Sequence, residues 1–189
     1  MREMKKLQKT AGGQKEELLR DTYIEVDLDK LAANVVMIKD MVGPEVAITA
    51  VIKANGYGHG AWQIAQSIMD AGADYLAVAT LTEALELREH AIDAPILIMG
   101  HTPDRLLPHV AEQALTQTIF SLEQAKLLNE LAEGCGRKVK VHIKVDTGFH
   151  RLGKMPSADY LAEIQKICRL PHVEAEGIFS HLALVNQEE

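Results

Sequence analysis

Cysteine, aromatic residues, excess positive charge and long apolar runs are all scarce in this chain of 189 residues. The 2 cysteines, Cys135 and Cys168, are single and far apart, with no Cys-x-x-Cys or Cys/His ligand spacing, so neither a disulfide framework nor a zinc site can be read from them. Buried or idle thiols in a reducing cytoplasm are the plain expectation. With 20 basic against 27 acidic residues the formal charge is −7. That balance lacks the basic footprint of a nucleic-acid partner or of a protein held on an anionic membrane, and it favours small-molecule chemistry. No apolar run reaches the roughly 18 residues of a membrane span, and the opening MREMKKLQKTAGGQKEELLR carries charge where a signal peptide needs an apolar centre. The expectation is a cytoplasmic, soluble chain with residues 1–20 as a polar N-terminal extension and residues 21–189 as one domain. At 47% hydrophobic residues, the chain can bury a core of its own.

Along that domain the hydrophobic period switches repeatedly between two and 3.6. TYIEVD (22–27) alternates like a strand, and LDKLAANVVMIKDMVG then sets Leu28, Leu31, Val35, Ile38 and Met41 or Val42 on one helical stripe. EVAITAVIKA, DYLAVAT, APILIMG, LTQTIF, KVKVHIKVD and VEAEGIFSH read as strands, each joined to the next by a helical pattern, and Ser121 is a plausible N-cap. About six strands linked this way demand a parallel sheet with right-handed crossovers. An open doubly wound sheet and a (β/α)8 barrel both accept the series. No Gly-x-Gly-x-x-Gly turn follows the first strand, whereas polar residues gather at several strand ends: Lys53, then Lys144 and Asp146, then Ser180 and His181. That distribution favours a TIM-type α/β barrel, apparently truncated to about six of its eight units, with the last strands beyond Glu189 and two bare edges.

AVIKANGYGHG (50–60) is the most unusual stretch, because a lone lysine stands where a buried strand gives way to a glycine-rich turn. By position alone Lys53 either emerges into solvent or serves as a partly dehydrated amine suited to Schiff-base chemistry with a carbonyl. Gly56, Gly58 and Gly60 with Tyr57 among them give a flexible path for backbone and phenol to approach a ligand. His101, His109, His142 and His172 show no metal-ligand spacing, so no metal is expected. EALELREH, with Glu83, Glu86 and Arg88, reads as a solvated helix face. Asp146 is read as orienting a neighbouring group through a hydrogen bond.

The same stretch closely resembles the pyridoxal-phosphate lysine motif of alanine racemases, in which a strand-end lysine is followed four residues on by a tyrosine in a Tyr-Gly-His-Gly turn. YLAVATLTEALELR, APILIMG, HIKVDTGFHRLG and GIFSHLA are similar to successive strand-end segments of that family, in order, so the resemblance runs from Tyr23 to about Ala183. It implies a pyridoxal 5'-phosphate enzyme that interconverts L- and D-alanine by two-base proton exchange. Lys53 would bond the cofactor and act as one base, and Tyr57 would hydrogen-bond the cofactor phosphate. Arg151 would sit beside the cofactor phenolate and the substrate carboxylate, and His181 would pack near the pyridine ring. Lys144 matches a position that carries a carbamate in many members, where it would hold Arg151. The resemblance also implies a homodimer, with the second base a tyrosine on a C-terminal β-domain of the partner subunit and further cofactor contacts beyond residue 189. The Tyr23 strand would pack against that domain. His150 departs from the pattern, because a small residue is expected before Arg151, and substrate-side packing is therefore expected to differ. A serine racemase of the same fold, a single-domain pyridoxal-phosphate-binding barrel and a non-catalytic fragment are the competing readings.

Overall fold

A computed structural model describes residues 24–183, so the expected extension at residues 1–20 lies outside the described residues. The described chain alternates helix and strand: α1 (Leu28–Val42), β1 (Thr49–Val51), a short turn α2 (Lys53–Tyr57), α3 (Ala61–Asp70), β2 (Tyr75–Val78), α4 (Leu81–Glu89) and β3 (Ile96–Ile98). After a 3-10 turn come α5 (Leu107–Glu112), β4 (Thr116–Ile119), α6 (Leu122–Cys135), β5 (Val139–Lys144), α7 (Ala158–Ile167) and β6 (Val173–Phe179).

The 6 strands form one parallel sheet in the order β1-β2-β3-β4-β5-β6. Each strand pairs with the one that follows it in the chain, as consecutive barrel strands do. A doubly wound sheet would instead reverse its order at a switch point, and no reversal occurs. The sheet buries one face under the helices. Leu76, Val78, Ile96, Ile98, Ile119, Val141 and Ile143 meet Ile64, Leu87, Leu107 and Leu128 in a continuous core. The opposite face is shut off as well, with Ala77 and Leu97 buried beside Leu76, Val78, Ile96 and Ile98, and this two-sided burial is why the strand segments read as near-continuous apolar runs. Ser121 caps α6 where the sequence suggests, accepting the Gln124 N–H at 3.2 Å, and Ser157 likewise caps α7 by accepting that of Tyr160 at 3.0 Å.

Three expectations need correction. The residues Ile24–Asp27 form no strand; Ile24 is exposed, and Asp27 caps α1 by accepting the Lys30 N–H at 3.0 Å, while the first part of the expected strand lies outside the described residues. The stripe on α1 is only partly used. Leu31 and Val35 pack on the core, but Leu28, Ile38, Met41 and Val42 stay exposed because α1 rests on the body mainly through α3. Both cysteines are exposed, neither being buried.

Behind the β5 end, Tyr160 is buried and donates its phenol hydrogen to the Lys144 carbonyl at 2.8 Å. Burial pushes its pKa up to about 12. An unfolded tyrosine ionises near about 10. The folded state therefore resists ionisation, and this share of stability is complete below about pH 10 and lost as pH rises through about 12. Denaturant midpoints followed from neutral pH into that alkaline window should fall for the parent. In Tyr160→Phe the midpoint at neutral pH should be lower, reflecting an unfolding free energy smaller by about 1 kcal/mol for the missing hydrogen bond, and the alkaline decline should be shallower.

Candidate active site

The C-terminal ends of the strands carry the unusual polar residues to one face, and the first of them is set by a backbone oddity. In α2 the residues after Lys53 turn left-handed: Ala54 (φ 52°), Asn55 (φ 54°), Gly56 (φ 61°) and Tyr57 (φ 54°). Three of these carry a Cβ, and each such residue costs roughly 1–2 kcal/mol in that conformation. Strain of this kind persists only where surrounding contacts over-determine it. Here the Gly56 N–H donates to the Ile52 carbonyl at 2.8 Å, the Ala61 N–H to Asn55 Oδ1 at 2.9 Å, and the Ala54 N–H to Glu83 Oε1 at 2.7 Å. Gly56 is fixed twice over, since a Cβ there would stand 2.8 Å from Ile64 Cδ1. The turn brings the Tyr57 ring under the Lys53 ammonium, with Nζ 5.9 Å from the ring centroid.

The second arm comes from β5. Asp146, buried at the strand end, accepts the N–H groups of Gly148 and His150 at 3.0 Å each, which hold its carboxyl below the usual carboxylate range. The Asp146 N–H donates to the Lys154 carbonyl at 2.9 Å, so the intervening loop folds back over the sheet end. That closure presents Arg151, whose guanidinium carbon lies 4.7 Å from the Phe149 ring centroid. The Phe149 ring in turn meets His181, from the end of β6, edge to face at 4.5 Å. Asp146 thus orients a neighbour, as expected of it. His150 adopts a left-handed φ of 55°, a conformation that glycine accepts without cost and a residue with a Cβ does not. Its imidazole turns to Asp146 at 3.4 Å and is not among the residues lining the cavity described next.

Val51, Lys53, Tyr57, Ala79, Met99, Gly100, Arg151, Leu152 and His181 enclose a cavity of about 400 Å³. Four of the five residues singled out from sequence, Lys53, Tyr57, Arg151 and His181, therefore meet in one place. Among the described residues no carboxylate lines it. Gly100 is required at its floor, because a Cβ there would lie 2.3 Å from the Ala79 carbonyl oxygen. The fifth residue, Lys144, is buried behind the cavity and does not line it. Its Nζ donates to the Val145 carbonyl at 3.3 Å and lies 4.9 Å from the Phe179 ring centroid. Burial pushes its pKa down; Asp146 opposes that shift and the positive charge of Arg151 adds to it.

Sequence reasoning misassigned Glu83 and Arg88. Glu83 is half-buried and ties α2 to the end of β2, and Arg88 reaches inward to the carbonyls of Ile92, Ala94 and Gln113, leaving only Glu86 of the three on a solvated face. The Thr80-x-x-Glu83 spacing of a capping box was the available signal. Among the described residues no group of His, Cys, Asp and Glu is arranged to hold a metal, and no helix is long and apolar enough to cross a membrane.

Comparison with known proteins agrees with this geometry. Residues 26–189 match the family model described as alanine racemase, N-terminal domain. The chain is 43% identical over 171 residues to alanine racemase 2 of Caldanaerobacter subterraneus subsp. tengcongensis, an alignment that covers 90% of this chain and 44% of that protein. The chain thus spans less than half the length of that relative. Among solved structures, the alanine racemase of Bacillus anthracis with bound L-Ala-P superposes with a TM-score of 0.79 at 38% identity, covering 89% of this chain and 43% of that one. A histidine racemase from Leuconostoc mesenteroides subsp. sake superposes with a TM-score of 0.75 at 31% identity, covering 83% and 42%. With its sequential parallel strands, a lysine-bearing left-handed turn after the first and an arginine loop after the fifth, this chain belongs to the alanine racemase N-terminal domain family.

Proposed function

We propose that the protein is a pyridoxal 5'-phosphate-dependent racemase that interconverts L- and D-alanine. The observation that carries the reading is the cavity at the strand ends. A chain of formal charge −7 gathers a lysine, an arginine, a histidine and a phenol around about 400 Å³, with no carboxylate among the described lining residues. Such a lining suits a small anion with a carbonyl, which is the chemistry of a phosphorylated aldehyde, and the volume lies within the roughly 300–1,000 Å³ of small-ligand sites. The donor set therefore fits the cofactor. Lys53 would bond its aldehyde carbon, Tyr57 would donate its phenol hydrogen to the phosphate, and His181 would pack beside the ring.

When bound, the cofactor supplies an electron sink for the pair released as the substrate Cα–H bond breaks. Lys53 Nζ, freed once the substrate amine takes its place on the cofactor, would take the α-proton on one face and, in the reverse direction, deliver one to that same face. Arg151 offers a planar fork to the substrate carboxylate, steadied by the Phe149 ring on which it stacks. Racemisation needs a second base on the opposite face. In line with the family resemblance, a tyrosine from the partner subunit of a homodimer would supply it, and the cavity rim, where Tyr57 is 60% exposed, is open to such an approach. Lys144 would react with carbon dioxide through its amine nitrogen, forming an N–C bond and releasing a proton, and the resulting carbamate would hold Arg151. Its burial and lowered pKa favour the neutral amine that this addition requires. Two exposed thiols suit a reducing cytoplasm.

Val51, Met99 and Leu152 give the cavity an apolar wall that suits the methyl of alanine and offers no partner to a serine hydroxyl. The test is turnover by the complete protein with added cofactor, followed by chiral chromatography. Both enantiomers of alanine should interconvert faster than those of serine or histidine, and a preference for either of the others would displace alanine.

A further inference from the structure

Lys53 owes its place to a carboxylate that lies outside the cavity lining. Ile52, the residue after β1, has φ −121°, and the left-handed run begins at Ala54 with φ 52°, so the sign of φ reverses at the Lys53–Ala54 peptide. That peptide's N–H donates to Glu83 Oε1 at 2.7 Å. The other carboxylate oxygen, Oε2, accepts the N–H groups of Ala79 at 2.7 Å and Thr80 at 3.2 Å. One side chain from α4 therefore joins the turn after β1 to the end of β2, directly beneath Ala79, which lines the cavity. Resting on the functional reading above, we propose that Glu83 is the positioning residue for Lys53: by holding the Lys53–Ala54 peptide it keeps the amine and the Tyr57 phenol aimed into the same cavity.

The alternative is that Glu83 serves only to cap α4, where Thr80 Oγ1 accepts the Glu83 N–H at 3.4 Å in the reciprocal half of a capping box. Two substitutions separate these roles. Thr80→Ala removes the hydroxyl half of the cap and leaves the Ala54 bond. Glu83→Gln keeps the size but offers one acceptor oxygen where two are used, so either Ala54 or the Ala79–Thr80 pair faces an amide NH2. If Glu83 positions Lys53, amide hydrogen exchange at Ala54–Tyr57 in the complete protein should quicken in Glu83→Gln and stay at the parent rate in Thr80→Ala. Reductive capture of pyridoxal phosphate at Lys53 should slow by about tenfold in Glu83→Gln alone, the scale of one lost charge-assisted hydrogen bond. Glu83→Asp, which keeps the charge but falls a methylene short of spanning both sites, should behave like Glu83→Gln.

Equal exchange in both variants and the parent, or equal quickening in Thr80→Ala and Glu83→Gln, would overturn the proposal in favour of simple capping. The exchange readout needs no cofactor. A parent that captures no cofactor would count against the racemase reading, while the exchange pattern would still decide the role of Glu83.

Discussion

Lys53→Ala should remove cofactor capture and lower alanine turnover by about 10³-fold or more, because it deletes both the covalent anchor and one of two proton-transfer groups. The change should barely touch folding. Lys53 is half-buried at the rim of the sheet and is not part of the core, so its side chain contributes little apolar burial. The measurement is paired: steady-state turnover, and absorbance of the complete protein mixed with pyridoxal phosphate. Tyr57→Phe is the contrasting variant. It should still capture the cofactor covalently but hold it more weakly, by about 1–3 kcal/mol if the phenol donates to the phosphate. Parent-like turnover in Lys53→Ala would remove the lysine from the chemistry altogether.

Arg151→Lys should lower kcat by on the order of 10²-fold, the scale of loss that small misplacement of a reacting group produces, while thermal stability stays close to the parent value. The positive charge survives the exchange. What is lost is the planar fork and its stacking on Phe149, now at 4.7 Å from the guanidinium carbon. Because Asp146 fixes the loop through the N–H groups of Gly148 and His150, the backbone at position 151 should keep its course in the variant. A kcat equal to the parent's would show that only the charge is used. A fall in kcat matched by a fall in melting temperature would instead assign Arg151 to holding the loop.

The sheet was legible because buried parallel strands and amphipathic helices write different periods into the chain, and six such alternations leave few arrangements open. Lys53 and His181 were legible for a related reason: polar residues that interrupt an apolar strand end need a purpose, and barrel topology brings strand ends together, whereas Arg151 and the role of Tyr57 were legible only through the family resemblance. The handedness of α2 was not legible. Ala-Asn-Gly-Tyr reads as a flexible glycine turn, whereas the structure fixes it as a strained left-handed one in which Gly56 serves close packing against Ile64. Glu83 was half legible. Its spacing from Thr80 announces a cap, but its bond to Ala54 joins segments distant in sequence and has no local signature. Arg88 was missed similarly, since its carbonyl partners lie beyond its own helix. For the strand expected at residues 22–27, alternation alone was insufficient. Strand formation needs a neighbour to pair with, and Ile24–Asp27 have none among the described residues.

The central claim is that the cavity at the strand ends is a cofactor site anchored on Lys53. The most direct measurement is to mix the complete protein with pyridoxal phosphate, reduce with borohydride, digest, and locate the pyridoxyl group by mass. The account predicts one modified peptide, the one that carries Lys53, at close to one label per chain. Label spread over surface lysines, or a dominant label on any other residue, would contradict it.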